Sequence, residues 1–597
     1  MTDPQPATRP SAGREPAVGE CPENCCFADS DAAELLSGRL AELCDPNEAS
    51  WDLIKQNASR TVYRGYIEGR QIYVKHFHSR TFSYRVGRLL GASDARDEMR
   101  FSEYLADRGV KVPKVLAAMW HGDMEWVATL AVSPALPADE WHEQQLHLDK
   151  PGQRRIRQAT LSLAELVGRM HAAGVAHGDL HCGNVLIRTD SDPPALVLTD
   201  LHRTHGCRRL SRRLRAANLA QLFYDRYNFT HRTDRLRFLK RYLQASGADG
   251  TLRGWQLLVE DAARRHTRRQ HAQRDRRIFA DNSYFQKLSL PGGWRAHVVL
   301  RSKRKLAGSK VAELIFTVDQ WHSLLCEPDS LTAGDAEVVK DSRSSLVVKR
   351  NITLGDQEVT VYVKRARRKR PWKLIGDCFR PSRALRAFGL GHALLTRRIP
   401  VALPLAAMER RVGPFLVDSI LITEAVDWPR LDEFLTLWLA RMPTGSARLS
   451  ARQQHQLGKQ VLWQMGRLLQ RLHDNNFAHR DLKASNMFVR WRLGHSPEIV
   501  LVDLDGLRRV RSITMRQRFQ GLMRLNVSLL KCPVVDHHGR LRMLLGYLRR
   551  PGCGRINFKP YWRVLEDWSE RKLQQQIRSR RQVQLARRLR AARNGVS

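Results

Sequence analysis

Two stretches of the sequence combine acidic, amide and imidazole side chains at the same spacing. In the first, AHGDLHCGNVLI, Asp179 is followed five positions later by Asn184, and an apolar segment then ends in Asp200. Transfer of a phosphoryl group needs a carboxylate that orients the attacking hydroxyl and oxygen ligands that hold Mg²⁺. This stretch therefore predicts a phosphoryl-transfer site with Asp179 as catalytic base and Asn184 and Asp200 as metal ligands.

The second stretch, AHRDLKASNMFV, repeats the pattern with Asp481, Asn486 and, after another apolar segment, Asp503. We assign Asp481 as its catalytic base and Asn486 and Asp503 as its metal ligands. The stretches differ two positions after the base, where the first has His181 and the second has Lys483. Lys483 would place a fixed positive charge on the γ-phosphate, so we count it among the catalytic candidates.

Upstream of each stretch, a segment that alternates apolar and polar residues ends in a lysine. These are Lys75 after RQIYV and Lys364 after VTVYV, and the alternation predicts strands. Each lysine is expected to meet the α and β phosphates of a nucleotide. In the helix predicted over Ala92–Gly109, Glu98 is the acid expected to pair with Lys75, with Glu103 as the alternative.

The parallel between the two halves of the chain extends well beyond these motifs. VKVPKVLAAM matches IPVALPLAAM, RLRFLKRYL matches RLRMLLGYL, and the order of all segments is shared. That order resembles protein kinases, so we predict an α+β fold with two tandem protein-kinase-like bilobal domains, each with a mostly β small lobe and a mostly α large lobe. The predicted boundaries are a disordered tail over 1–30, a first domain over 31–275, a connector of unknown role over 276–333, a second domain over 334–575 and a basic tail over 576–597.

Two departures from the kinase pattern concern the small lobes. Neither half contains Gly-x-Gly-x-x-Gly; NASRTVYRG and KDSRSSLVVKR stand in that place, so backbone amides of a Ser/Arg-rich turn would cradle the phosphates. In the second half, Ala387 and His392 stand where the first half has its two helix acids. Either another acid pairs with Lys364 or that lysine is positioned differently, which makes Asp179 the stronger candidate base.

The basic composition indicates which kinds of molecule the protein binds. The 597 residues include 101 Lys and Arg and carry a net charge of +41, which predicts a polyanionic neighbour. No apolar run reaches the ~18 residues of a membrane span and no signal peptide is evident, so we expect a cytoplasmic protein. Aromatic residues are not interleaved in the basic helices around Arg208–Arg215 and Arg264–Arg277, which argues against nucleic acid as the main partner.

The residues after the apolar segments point to one family. The first half continues as TDLHR, Thr199–Arg203, and the second as VDLDGLRR, Val502–Arg509. With RGVKVPKVLA and RRIPVALPLA, these segments resemble bacterial lipopolysaccharide core kinases, the heptose and Kdo kinase group. The resemblance implies an ATP-dependent phosphotransferase with Mg²⁺ as metal and a sugar hydroxyl of the lipopolysaccharide core as acceptor. The basic composition fits this anionic core or another phosphate-rich acceptor, and it fits peripheral contact with the inner membrane.

Two other interpretations remain open at this stage. His-Arg-Asp-Leu-Lys and Asp-Leu-Asp-Gly in the second half are also typical of a Ser/Thr protein kinase. The missing helix acid and glycine loop are compatible with a catalytically inactive kinase-like scaffold that binds a membrane or a partner.

Overall fold

A computed structural model of the protein divides the chain into two compact units, Met1–Arg268 and Arg269–Ser597. We call them the first and the second unit. Each contains one of the two His-x-Asp stretches. The structure describes residues 25–594 except 50, 57–58, 79–91, 122–123, 147–148, 225–231, 306–310, 368–377, 379, 440–448, 493–494 and 551–555.

Among the described residues, the small lobe of the first unit has an antiparallel sheet of six strands and three helices. The strands are β1 (Cys25–Phe27), β2 (Asp52–Gln56), β3 (Arg60–Ile67), β4 (Arg70–Phe77), β5 (Val115–His121) and β6 (Met124–Leu130), and the helices are α1 (Ser30–Leu36), α2 (Leu40–Cys44) and α3 (Asp94–Ala106). The sheet order is β1-β5-β6-β4-β3-β2. Alternation along β4 buries Ile72 and Val74 in the core, and Lys75 therefore points to the opposite face.

Helices dominate the large lobe of the first unit. They are α4 (Ala138–Leu146), α5 (Asp149–Ala172), α6 (Arg212–Phe223), α7 (Arg232–Ser246) and α8 (Leu252–Arg277), with short strands β7 (Ala135–Pro137), β8 (Val175–His177), β9 (Val185–Arg188), β10 (Leu196–Leu198) and β11 (Thr204–Gly206). The last part of α8, from Arg269 onward, belongs to the second unit. Buried His171 on α5 joins Tyr242 on α7, with 2.8 Å between Nδ1 and the hydroxyl. Strand β8 pairs with β11, and β9 pairs with both β7 and β10. These pairings bring the ends of β8 and β10 together.

The small lobe of the second unit has a larger sheet of seven strands. Its elements are β12 (Phe285–Leu290), β13 (Trp294–Val299), β14 (Arg301–Lys305), β15 (Val311–Ile315), α9 (Val318–Leu325), β16 (Glu337–Ser342), β17 (Ser345–Leu354), β18 (Gln357–Ala366), α10 (Arg383–Thr396), β19 (Pro404–Val412) and β20 (Phe415–Glu424). The sheet order is β12-β13-β19-β20-β18-β17-β16. Val361 and Val363 on β18 are buried, as their counterparts on β4 are, and Lys364 follows them.

Two strands of this sheet come from the stretch 276–333, whose role the sequence left open. Strand β13 pairs with β19 and buries Ala296 and Val298 in the core of this lobe. The indole of Trp321, on α9, donates a hydrogen bond of 2.8 Å to the carbonyl of Val299. The described part of this stretch therefore extends and packs the sheet of the second unit.

The large lobe of the second unit repeats the helical arrangement of the first. Its elements are a helical turn (Leu431–Glu433) continued by a π-helical turn (Phe434–Trp438), α11 (Ala451–Asp474), β21 (Phe477–His479), β22 (Met487–Arg490), β23 (Glu498–Leu501), β24 (Leu507–Arg509), α12 (Met515–Leu529), α13 (His537–Leu548) and α14 (Lys559–Asn594). Buried His473 on α11 contacts Tyr547 on α13, with 2.9 Å between Nδ1 and the hydroxyl. The pair corresponds to His171 and Tyr242, so the repeat extends to buried polar contacts.

The two predicted tails are described only in part. Residues 1–24 of the predicted disordered tail lie outside the described residues, whereas Cys25–Phe27 form β1 and Ser30 begins α1. Of the predicted basic tail, residues 576–594 continue α14, and 595–597 lie outside the described part. None of the helices described here is long and apolar enough to cross a bilayer.

Candidate active site

The loop after β8 in the first unit is held by its own side chains. His177 Nδ1 accepts a hydrogen bond from the backbone N–H of Asp179 at 3.1 Å, while Nε2 donates to the carbonyl of Thr199 at 3.0 Å. Burial lowers the pKa of His177 and so keeps the ring neutral, as these two contacts require. Asn184 Nδ2 donates to the carbonyl of Asp179 at 2.9 Å. The Asp179 carboxylate itself remains 58% exposed and open to an acceptor.

The loop after β21 in the second unit has the same arrangement. His479 Nδ1 accepts from the N–H of Asp481 at 3.2 Å and Nε2 donates to the carbonyl of Asp503 at 3.2 Å. Asn486 Nδ2 donates to the carbonyl of Asp481 at 3.0 Å. The Asp481 carboxylate is 61% exposed. Both candidate bases are therefore presented to solvent on loops of matching geometry.

The residues next to the candidate bases differ in charge. Lys483 Nζ lies 3.0 Å from Asp481 Oδ2, whereas His181 Nε2 lies 3.7 Å from Asp179 Oδ2. Because an ammonium group is charged at any physiological pH and an imidazole is not, the second loop is the more cationic.

Both strand-end aspartates adopt a left-handed backbone conformation. The φ angle is 70° at Asp200 and 55° at Asp503, which non-glycine residues adopt rarely. In the first unit this turn brings the Asp200 carboxylate to 3.5 Å from Lys75 Nζ. Lys75 also forms an ion pair with Glu98 on α3, which is almost fully buried, while the alternative acid Glu103 is exposed.

Asp200 has two further neighbours with basic side chains. Arg60, at the start of β3, forms an ion pair with it, and His202 Nδ1 lies 3.1 Å from Asp200 Oδ1. Burial alone would raise the pKa of Asp200, but His202, Lys75 and Arg60 together hold it well below its usual range. Burial would likewise lower the pKa of Lys75, yet Glu98 and Asp200 outweigh it and raise that pKa. The charged forms of Lys75 and Asp200 are thus stabilised together.

In the second unit the lysine finds a different acid. Lys364 Nζ lies 3.0 Å from Asp503 Oδ1 and 2.7 Å from Asp505 Oδ2. Burial would lower the pKa of Lys364, but Asp505 and Asp503 raise it overall. Ala387 is buried at the helix position of Glu98, and His392 Nε2 contacts the carbonyl of Pro404 at 2.9 Å. The sequence left two alternatives, another acid partner for Lys364 or a different position of that lysine. The geometry matches the first, with Asp505 as the other acid.

The sequence did not single out several residues that the structure places at these sites, among them His202, Arg60, Asp505 and Arg524. Arg60 occupies the stretch that replaces the glycine loop, and its counterpart in the strand register is Ser345, because Val62 pairs with Lys75 and Val347 with Lys364. Asp505 was visible as the second acid of Asp-Leu-Asp. Arg524 had no sequence signal except its place on the helix that follows the loop.

Arg524 lies on α12, half-buried and close enough to Asp481 to interact with it electrostatically. Burial lowers its pKa, the Asp481 carboxylate opposes that shift, and the charge of Arg508 adds to it. In the first unit the equivalent helix position, ten residues after the capping residue, holds Gln221, whose amide donates to the carbonyl of Gly178 at 3.2 Å. This position therefore adds to the charge difference between the two loops.

The donor atoms at both sites fit a magnesium ion. Since Asn184 and Asn486 use their amide nitrogens for the loop, their side-chain oxygens remain for a metal. A carboxylate at the strand end completes the oxygen set that Mg²⁺ prefers. In the first unit, Glu98, Asp200 and His202 also offer ligand atoms within 4.8 Å of one another.

Comparison with known proteins agrees with this geometry. The family model for lipopolysaccharide kinase (Kdo/WaaP) matches residues 55–242 and 336–545, about two thirds of the chain. The chain belongs to this family. The predicted resemblance is thereby confirmed, as is the α+β fold class with two tandem kinase-like domains, and the protein is a phosphotransferase of the kinase type.

Sequence identity to individual relatives is low. The lipopolysaccharide core heptose(I) kinase WaaP of Pseudomonas aeruginosa is 26% identical over 233 residues, which cover 36% of this chain and 80% of that protein. The EKC/KEOPS complex subunit bud32 of Aspergillus oryzae is 30% identical over 129 residues, 17% of this chain and 46% of its own length.

Solved structures are similar to parts of the chain. WaaP in complex with acyl carrier protein is 24% identical, with a TM-score of 0.32, and the match covers 40% of this chain and 98% of that one. An aminoglycoside-3'-phosphotransferase of type VIII is 18% identical, with a TM-score of 0.24, covering 36% and 93%.

Proposed function

We propose that the protein transfers the γ-phosphoryl group of ATP to a sugar hydroxyl of the lipopolysaccharide core, with one site in each unit. The observation that carries the proposal is the duplicated constellation of exposed loop aspartate, loop asparagine and strand-end aspartate facing a small-lobe lysine. It occurs in a chain of the lipopolysaccharide kinase family. Positioning and electrostatic stabilisation supply most of the catalysis of phosphoryl transfer, and these residues provide both.

Asp179 and Asp481 would act on the acceptor. Each carboxylate is exposed on a loop whose histidine and asparagine fix the backbone, so it can accept a hydrogen bond from the attacking hydroxyl and take its proton. Lys483, 3.0 Å from Asp481, can stay beside the transferred phosphoryl group as a fixed charge. Lys75 and Lys364 would hold the α and β phosphates.

Mg²⁺ would be held by Asn184 and Asp200 in the first unit and by Asn486 and Asp503 in the second. A bound magnesium ion supplies charge neutralisation on the phosphate oxygens. Asp200 is already surrounded by Arg60, Lys75 and His202. In the first unit a metal ion would therefore compete with several basic side chains for Asp200, whereas in the second unit Asp503 forms its ion pair with Lys364.

An anionic acceptor fits the surroundings of Asp481. Lys483 and Arg524 bring positive charge to that carboxylate, and Arg508 adds charge near Arg524. Lipopolysaccharide core rich in phosphate or carboxylate groups would neutralise such a site. The net charge of +41 supports peripheral contact with the anionic cytoplasmic face of the inner membrane, where we place the enzyme.

The proposal is tested by incubating the purified full-length chain with radiolabelled ATP, Mg²⁺ and dephosphorylated core oligosaccharide. We expect label in the oligosaccharide and none with the double variant Asp179→Asn, Asp481→Asn. Label that appears on a generic protein acceptor while the oligosaccharide stays unlabelled would favour a Ser/Thr protein kinase. Absence of any acceptor-dependent turnover would leave the inactive scaffold as the remaining interpretation.

A further inference from the structure

The lysine of the second unit is held from a different direction than the lysine of the first. In the first unit the acid comes from helix α3, where Glu98 pairs with Lys75. In the second unit it comes from the turn after β23, where Asp505 lies 2.7 Å from Lys364.

The two arrangements can be aligned residue by residue. Helices α3 and α10 begin at equivalent serines, Ser93 and Ser382, whose side chains each accept from the backbone N–H three positions later. Five positions after the cap the first helix has Glu98 and the second has Ala387.

The turns that follow the strand-end aspartates align in the same way. Each begins at the residue with the left-handed backbone, Asp200 or Asp503. Two positions later the first unit has His202 and the second has Asp505. The carboxylate is thus lost at the helix position and gained at the turn position, and the site keeps an acid against its lysine.

The exchange is chemically complementary. In the first unit His202 Nδ1 lies 4.0 Å from Glu98 Oε2 and 3.1 Å from Asp200 Oδ1, so this turn position faces both acids. An aspartate there would stand beside Glu98 and Asp200 as a third acid. In the second unit the helix position holds the buried, uncharged Ala387. Asp505 can therefore approach Lys364 without repulsion from a carboxylate on the helix.

We propose that Asp505 is the positioning residue for the nucleotide-binding lysine of the second unit, replacing the helix acid that Glu98 provides in the first. The inference rests on the proposed ATP-dependent activity. Asp505 acts through Lys364, which would contact the phosphates.

The replacement changes what controls each site. In the first unit the lysine is aligned when α3 lies in place, so a displacement of that helix breaks the ion pair. In the second unit Asp505 and the candidate metal ligand Asp503 belong to the same turn, so the alignment of Lys364 does not depend on α10. We expect the first site to respond to ligands or contacts that move its helix and the second to be insensitive to them.

The test measures the dissociation constant of radiolabelled Mg²⁺-ATP on the full-length chain. Lys75→Met should abolish ATP binding to the first unit, so that binding in this background reports on the second unit. Lys364→Met serves in the same way to observe the first unit. In the former, we expect Asp505→Asn to weaken binding by about tenfold or more, because it removes a charged partner of a half-buried ammonium group. The control Asp341→Asn, an exposed small-lobe acid paired with Arg367, should bind as the parent does.

Paired substitutions that move the acid between the helix position and the turn position test whether Asp505 positions Lys364 or only stabilises the fold. Glu98→Ala should weaken binding to the first unit, and adding His202→Asp should restore most of it. Conversely, Ala387→Glu should restore the ATP binding of the second unit that Asp505→His weakens. Should the larger side chain unfold the core around Ala387, the exchange of Glu98→Ala with His202→Asp in the first unit decides the question.

Wild-type affinity in Asp505→Asn, or weakened binding that the folded exchange variants do not recover, would overturn the assignment. Since nucleotide binding requires no acceptor, these results are independent of whether the lipopolysaccharide core is phosphorylated.

Discussion

The side-chain amide of Asn184 donates a 2.9 Å hydrogen bond to the backbone carbonyl of Asp179, the residue five positions before it. Asn486 and Asp481 repeat the contact at 3.0 Å. The asparagine thereby fixes the backbone that carries the candidate base, and its side-chain oxygen remains for the proposed metal ion. In the proposed mechanism one side chain would serve both the base and the metal ion, which would account for the same five-residue spacing in both units.

Replacing each candidate base separately should divide the activity between the units. Asp179→Asn and Asp481→Asn keep the size of the side chain, and each should reduce turnover in its own unit by about 10²- to 10⁴-fold, the usual contribution of a general base. Phosphate transfer to core oligosaccharide measures the remainder. A single variant that retains full activity would identify its unit as silent, and unchanged activity in the double variant would contradict the assignment of both bases.

Glu98 and Glu103 on the same helix provide a matched pair of substitutions. Glu98→Gln removes the charge that holds Lys75, and we expect ATP affinity of the first unit to fall roughly ten- to a hundredfold, as for loss of a hydrogen bond between charged groups. Glu103→Gln should have no effect because that side chain is exposed. Equilibrium ATP binding in a Lys364→Met background makes the comparison, and equal effects of both substitutions would contradict it.

Arg60 should compete with magnesium for Asp200. Arg60→Ser introduces the residue found at the same register position in the second unit, Ser345, and frees the carboxylate from one cation. We therefore expect half-maximal ATP binding by the first unit at a lower Mg²⁺ concentration. Arg64→Ser, on the same strand and paired with exposed Asp52, is the control. A higher Mg²⁺ requirement in Arg60→Ser would instead assign the guanidinium to the phosphates.

Arg524 should affect the acceptor rather than the nucleotide. Arg524→Gln introduces the residue of the first unit, Gln221, and should raise the KM for an anionic acceptor while ATP affinity stays unchanged, because the guanidinium lies near Asp481. The salt dependence of KM should weaken at the same time. Kinetics with Asp179→Asn as background isolates the second unit. An equal loss with a neutral acceptor would contradict a role in charge recognition.

The buried histidines predict a loss of stability in acid. His171 and His473 have an ordinary pKa of 6.5, and burial lowers it to about 4 and about 3 in the folded protein. The unfolded chain therefore binds protons that the folded chain does not, so stability is complete above pH 6.5 and falls by about 1.4 kcal/mol per pH unit for each ring as the pH drops toward the folded values. Chemical denaturation between pH 7 and pH 5 measures the slope. His473→Gln should reduce it, whereas the exposed His538→Gln should leave it unchanged.

Local spacing predicted the site where local hydrogen bonds determine the geometry. The loop from His177 to Asn184 closes on itself through contacts among residues a few positions apart, so its sequence suffices to predict it. The pairing of Lys75 with Glu98 was also predictable, because strand and helix follow the kinase order. These predictions hold for the residues that the structure brings together, while their catalytic roles remain proposals.

Long-range choices could not be obtained from spacing. Lys364 could meet an acid from any element that approaches the end of β18, and only packing decides that Asp505 arrives from the turn after β23. In the same way, β13 has an ordinary alternating pattern that fits several sheet positions, and its place beside β19 depends on which edge is free. Arg60 reaches Asp200 across 140 positions of sequence, beyond any local rule.

The ion pair between Asp275 and Arg397 determines how the second unit can be isolated. Arg397 donates to both carboxylate oxygens of Asp275 at 2.8 Å, and its own side chain is almost fully buried. A fragment cut at residue 334 would lack Asp275 and strands β12 and β13, which would leave this guanidinium without its counter-ion and uncover the edge of β19. An expression fragment that is meant to fold alone should therefore start upstream of Asp275.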